Sequence, residues 1–211
     1  GDKEALKLVP VLEKLLPALN EGRAARSVKL TPEEIAVVRP LFLLTIKPTM
    51  YVANVEDHGF ENNPLLDAVR EFAASEHSPV VAVCAKTEAD IAELESYEER
   101  QMFLEDMGLG ESGVARLIKA AYKLLNLETF FTTGADETRA WTYSRGMKAP
   151  QTAGIIHTDF ERGFIRAEVI KYDDYVALGS EKACRDAGKI GIEGKEYVVQ
   201  DGDIMHFLFN V

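Results

Sequence analysis

Two apolar runs too short for helices, 50–54 ("MYVAN") and 79–84 ("PVVAVC"), flank a capped helical stretch, and this succession narrows the possible folds more than any other feature of the chain. Asn63 before Pro64 supplies an N-cap and a first-turn proline, which predicts a helix to about Ser75. Strand, helix, strand is half of a parallel α/β unit. Neither run alternates between apolar and polar, so both strands read as buried on two faces, as parallel sheets require. Two strands cannot make such a sheet by themselves. The reading therefore expects further strands from outside these 211 residues.

Parallel α/β proteins bind ligands outside the carboxyl ends of their strands. The first run ends in Asn54-Val55-Glu56-Asp57, an Asn-x-x-Asp spacing. In P-loop GTPases such a loop places an Asn that supports the base and an Asp that accepts guanine N–H donors, with a Lys where this chain has Val55. The second run ends in Cys84-Ala85-Lys86, like the small-residue loop that lends a backbone N–H to the base. An Asx-rich turn that caps the next helix without a ligand explains the same residues. The triphosphate cradle is absent from the sequence: Gly188-Lys189 is followed by Ile190, and Ala183 stands where the leading Gly belongs. No catalytic residue and no metal-ligand set is assigned.

Residues 4–20 place Leu6, Val9, Leu12, Leu16 and Leu19 at helical spacing, with Pro10 and Pro17 expected to kink or interrupt the run. Thr31, Pro32 and Glu34 announce a helix to about Leu44, and Ser96 with Glu99 another. Further helices are expected over 87–94 and 113–125. From Thr129 the stretches "TFFT", "RAWTY", "FIRAEVI" and "EYVVQDGDIMHFLF" read as a separate small mixed sheet, with a boundary near Asn126.

The formal charge of −11 argues against a surface that adheres to nucleic acid as a whole. Residues 139–171 nevertheless carry six basic groups (Arg139, Arg145, Lys148, Arg162, Arg166, Lys171) against three acidic ones, and include Trp141, Tyr143, Phe160 and Phe164. This mixture suits an RNA-facing or protein-docking patch; scattered surface charge over a β core fits the pattern equally. His157 reads as a turn or interface residue rather than a catalytic one. Cys84 and Cys184 are expected to be reduced thiols. The amino terminus has no secretory pattern and no run is long enough to cross a bilayer, so a cytoplasmic location is expected.

The segments "YVANVEDHGFENNPLLDAVREFA", "AAYKLLNLETFFTTG", "TRAWT", "KAPQTAGIIHTDFERGFIRAEVIKYDDY" and "GKEYVVQDGDIMHFLFNV" together resemble the YchF/Obg-like ATPase family over essentially the whole chain. The resemblance implies a helical coiled-coil arm over 1–45, the last part of a nucleotide-binding domain over 46–126, and a TGS domain, a ubiquitin-like β-grasp module, over 127–211. It implies the carboxyl-terminal portion of a ribosome-associated ATPase or GTPase. Asn54, Val55, Asp57, Cys84, Ala85 and Lys86 would face the purine. Arg139, Arg145, Lys148, His157, Arg162 and Arg166 would face RNA or the large ribosomal subunit. ATP or GTP with Mg2+ would bind the longer parent, and no cofactor is expected for this chain alone. The family pattern carries Glu where this chain has Asp57, which makes the loop a hybrid with the GTPase pattern. A TGS-bearing regulatory protein or synthetase is the competing reading; it predicts enzymatic signatures that the sequence lacks.

Overall fold

The computed structural model describes residues 3–134 and 137–210. The chain divides into two compact units, Gly1–Leu124 and Leu125–Val211.

In the first unit α1 (Lys3–Asn20) runs through Pro10 and Pro17, so neither proline interrupts it. The two prolines are seven residues apart, hence on one side of the helix, and that side is exposed. The carbonyls that lose their intrahelical partner therefore face water, which satisfies them. Val11 and Leu15 of α1 pack with Ala25 and Val38. A second stripe, Leu6, Val9, Leu12, Leu16 and Leu19, is solvent-exposed. α2 (Pro32–Val38) starts in the expected Thr31/Glu34 capping box but stops short of Leu44. Pro40 has no N–H to continue the ladder, and the chain leaves through a 3-10 turn, Arg39–Leu41, into a left-handed Phe42.

β1 (Tyr51–Asn54) pairs in parallel with β2 (Val80–Val83), Tyr51 opposite Val80 and Asn54 opposite Val83. α3 (Pro64–Ser75) connects them, its first N–H groups accepted by Asn63 Oδ1 as anticipated. β1 is not buried on both faces: Val52 is 48% exposed, although Val81 opposite it on β2 is buried. Unbroken apolarity in sequence reports the burial a strand is suited to, and the elements present cover β1 on only one side. α4 (Ala85–Glu93), α5 (Tyr97–Asp106) and α6 (Gly113–Leu124) follow. α4 begins two residues earlier than the sequence suggested, at Ala85, with Cys84 at its N-cap position.

Glu88 of α4 fixes the start of α6 by accepting from Gly113 N–H at 2.6 Å and Val114 N–H at 3.2 Å. This pairs a carboxylate with the positive end of a helix. A Cβ at position 113 would lie 2.8 Å from Glu88 Oε1 and 3.0 Å from Val83 Cγ1, so a side chain there would push the Glu88 carboxylate off the helix start.

The second unit is a five-stranded mixed sheet. β3 (Leu127–Thr133) and β4 (Thr138–Ser144) form an antiparallel hairpin. α7 (Ala149–Ile156) and α8 (Thr158–Arg162) lead to β5 (Phe164–Ile170). α9 (Tyr172–Leu178) and α10 (Glu181–Asp186) then lead to β6 (Ile190–Glu193) and β7 (Ile204–Phe209). The strand order is β4-β3-β7-β5-β6, with β3 and β7 parallel and the other pairs antiparallel.

Two strand assignments change. β6 was not foreseen, since "IGIE" is short and glycine-containing. Residues 196–203, read as strand, contribute only the isolated bridge of Val198 to Lys148. That stretch folds instead around Asp203, whose carboxylate accepts from Lys171 Nζ (2.6 Å), Tyr197 OH (2.6 Å) and Gln200 N–H (2.9 Å). Such a local polar hub holds a loop where ladder bonds would hold a strand. The core comprises Phe130, Tyr143, Ala149, Ala153, Phe164, Ala167, Val169, Val199, Met205 and Phe207. Trp141 is partly buried at its margin. Both cysteines are free and buried.

Candidate functional site

The carboxyl ends of β1 and β2 open onto a cleft of about 450 Å³ lined by Asn54, Val55, Glu56, Asp57, His58, Cys84 and Lys86. Parallel pairing of the strands brings the two predicted loops side by side, although 30 residues of chain separate Asn54 from Cys84.

Within the cleft the residues hold one another. Asn54 Oδ1 accepts the backbone N–H of Ala85 at 3.0 Å. Asp57 Oδ1 accepts from Cys84 Sγ at 3.0 Å and Thr87 Oγ1 at 3.1 Å. Asp57 Oδ2 lies 3.5 Å from Lys86 Nζ. These hydrogen bonds from Cys84 and Thr87, with the Lys86 charge beside them, hold the Asp57 carboxyl below its ordinary value, so it is ionised at neutral pH. A carboxylate offers about four acceptor positions, and Cys84 and Thr87 occupy two on one oxygen. Oδ2, approached by an exposed lysine at long range, keeps capacity for a donor on a ligand. Asp57 retains a side-chain exposure of 35%, enough to meet one.

The N–H of Ala85, read from sequence as a group lent to a base, is occupied by Asn54. Position 85 lies in the first turn of α4 rather than in a free loop. Thr87 was missed. It is 3% exposed and three residues past Cys84, where the first helical turn returns its side chain beside the N-cap position. A hydroxyl at that spacing after the small-residue loop is the signal that identifies it.

A larger cleft, about 780 Å³, opens beyond the other ends of the strands, beside Arg26, Thr49, Phe72 and Glu76. The strand carboxyl ends remain the better ligand site, because there the loops converge on an ionised acceptor.

The six residues assigned to docking do not form one face. Arg139 lies on the side of β4 that also carries Trp141 and the buried Tyr143, and Arg145 lies in the turn after the strand. Arg166 lies on the opposite side of its strand from the buried Ala167. Several are already paired. Arg145 Nε meets Glu128 at 2.7 Å, Lys148 meets Glu196, and Arg162 lies 3.7 Å from Asp159. His157 caps α8, its Nδ1 accepting Asp159 N–H at 3.2 Å. Among the described residues Arg139 and Arg166 have no carboxylate partner.

A parallel βαβ pair with an Asn-x-x-Asp loop facing a small-residue loop, followed by a five-stranded mixed-sheet module, defines a class of α/β proteins with an appended β domain. Comparison with known proteins narrows the class. The family model YchF-GTPase_C, described as a protein of unknown function (DUF933), matches residues 127–210. "Ribosome-binding ATPase YchF" of Escherichia coli O157:H7 is 56% identical over 211 residues, all of this chain and 58% of that protein. The protein of the same name from Bacillus subtilis (strain 168) is 53% identical over 213 residues, again with 58% of it covered. The solved structure of the Schizosaccharomyces pombe YchF GTPase superposes with a TM-score of 0.81 at 33% identity, over 94% of this chain and 53% of that one. The chain belongs to the YchF family. It spans a little over half the length of the curated relatives it matches.

Proposed function

We propose that this chain supplies the base-reading end of a ribosome-associated purine nucleoside triphosphatase, together with a module that docks on the ribosome. The observation that carries the reading is the cleft at the ends of β1 and β2, where an ionised Asp57, held from behind by Cys84 and Thr87, presents Oδ2 beside Asn54 and Lys86. The names of the relatives, ribosome-binding ATPase and YchF GTPase, support the same activity and partner.

The residues present fit the base of a nucleotide and not its phosphates. Guanine offers N–H donors to a carboxylate, whereas adenine presents a ring acceptor at the corresponding edge. Phosphates and Mg2+ call for a glycine-rich cradle, a lysine and a hydroxyl, and the 211 residues contain no such arrangement. ATP or GTP with Mg2+ then binds a longer protein in which this chain is joined to that cradle. The second stripe of α1 (Val9, Leu12, Leu16, Leu19, spaced three, four and three) supports a coiled-coil arm over 1–45. The order β4-β3-β7-β5-β6, a hairpin and helix whose first strand pairs in parallel with the last, supports a β-grasp TGS domain over 127–211. No helix among the described residues is long and apolar enough to cross a membrane.

Two measurements test the reading. By calorimetry, the 211-residue chain is expected to bind ATP and GTP far more weakly than the micromolar range and to hydrolyse neither, since base contacts alone forgo the charge-assisted bonds to phosphate. Micromolar affinity for either nucleotide overturns that division of labour. In the longer protein Asp57→Glu is expected to move the preference toward ATP by about tenfold, one or two hydrogen bonds' worth. An unchanged ATP-to-GTP ratio removes Asp57 from base reading.

A further inference from the structure

The charge pairing in the second unit leaves one cation in an unusual state. Arg139 stands on β4, which has a neighbour only on the β3 side and is therefore an edge of the sheet. Its guanidinium carbon lies 4.2 Å from the centre of the Trp141 ring. Trp141 is fixed in turn: its Nε1–H donates to Thr132 Oγ1 at 2.9 Å, and its ring lies 13° from parallel to the fully buried Phe130.

A guanidinium held by a carboxylate has its charge offset and a donor engaged, as at Arg145 Nε with Glu128. A guanidinium held against an aromatic face keeps its full charge and its five N–H donors, and much of its rotamer entropy is already lost before a ligand arrives. A charged plane on a free strand edge, one face backed by the indole, matches an unpaired nucleotide. The base stacks on the guanidinium and the neighbouring phosphate accepts its N–H donors. An acidic peptide offers the charge without the planar surface, and a duplex keeps its bases stacked away from the site.

We infer that Arg139, backed by Trp141, is a contact for single-stranded RNA on the β4 edge. The inference rests on the ribosome-docking reading of this unit and narrows it to one residue pair and one kind of RNA.

Trp141 is the only tryptophan in the chain, so its emission reports on this site directly. The 211-residue chain would be titrated with an unpaired 12-nucleotide RNA of mixed sequence, a blunt duplex of that sequence, and a 12-residue polyglutamate peptide. Tryptophan emission and the anisotropy of labelled probes would be read at two salt concentrations. The single strand is expected to quench Trp141 and to bind more tightly than the other two probes. Arg139→Ala is expected to weaken it about tenfold, as loss of one stacked base does. Arg139→Lys, which keeps the charge and the packing stem but not the plane, is expected to lose most of the same affinity. Arg145→Ala serves as the comparison and is expected to change it less than twofold, its charge being already offset. Melting temperatures of the three variants establish that each is folded.

Full binding by Arg139→Lys, equal quenching by polyglutamate, or no quenching by the single strand each overturns the inference. Co-sedimentation of the same variants with ribosomes separates this outcome from failure of the broader reading. Wild type and Arg139→Ala pelleting equally leaves ribosome docking in place and removes Arg139 from it, whereas wild type that does not pellet removes ribosome docking by this chain.

Discussion

Asp203→Ala is expected to lower the unfolding free energy of the second unit by about 3 kcal/mol, the low end of the cost of breaking a buried charged pair. The Asp203 side chain is fully buried, while Lys171 across from it keeps half its surface in water, so the lysine can be resolvated and the full cost is not reached. Three donors lose their acceptor together: Lys171 Nζ, Tyr197 OH and Gln200 N–H. The two oxygens also tie β5's end to the loop before β7. Phe131 N–H donates to the Asp203 carbonyl at 2.8 Å, so a loosened residue 203 disturbs the parallel pairing of β3 with β7 as well. Urea unfolding followed by Trp141 emission measures the change. Asp203→Asn, which retains the shape and one acceptor, should recover part of the loss. A loss below about 1 kcal/mol for the alanine variant would show that the hub is not what holds residues 196–203.

Phe130→Ala is expected to cost about 3–5 kcal/mol, the range for deleting a buried aromatic ring whose cavity cannot collapse. Phe130 is fully buried at the centre of β3. Tyr143 and Phe207 meet it edge-on, with centroids 5.9 Å away in both cases, and Trp141 lies nearly parallel at 6.4 Å. Removing the ring takes the shared partner from three aromatics on two neighbouring strands. The hairpin β3–β4 and the pairing with β7 limit how far those strands can close in. Phe130→Leu, which refills much of the volume, should recover about half of the loss. The same unfolding experiment checks both variants, and a cost for Phe130→Ala no greater than that for Phe130→Leu would place the stabilising packing elsewhere. The cation stack on Trp141 gives a second readout, because a ring that loses its backing changes its emission before the unit unfolds.

What could be read from the sequence is mostly what neighbouring residues decide. Thr31 with Glu34, Ser96 with Glu99, and Asn63 before Pro64 each set a helix start through contacts spanning at most four residues, and the structure has all three. The free thiols and the mixed sheet of the second unit were also legible, whereas the burial of both cysteines was not. The two loops that make the cleft were legible as residue types at the ends of apolar runs, because a strand's direction fixes where its carboxyl end lies.

The tertiary structure decided what depends on groups far apart in the chain. Pro10 and Pro17 are tolerated because their side of α1 faces water, a matter of what packs on the other side. The openness of β1 depends on how many elements cover it, which its own apolar residues do not specify. Thr87 entered the site only when parallel pairing set α4 against the loop after β1. The pairing of Arg145 with Glu128 and of Lys148 with Glu196 divided a basic stretch of sequence into paired and free cations, since charge in a linear window says nothing about which carboxylates the fold brings across from it. Arg139 retained its charge because the residue folded against it is an indole. Local sequence fixes conformation through short-range sterics and capping; the fold alone decides which charges remain unpaired, because Coulomb and desolvation energies depend on distances that only the packed chain defines.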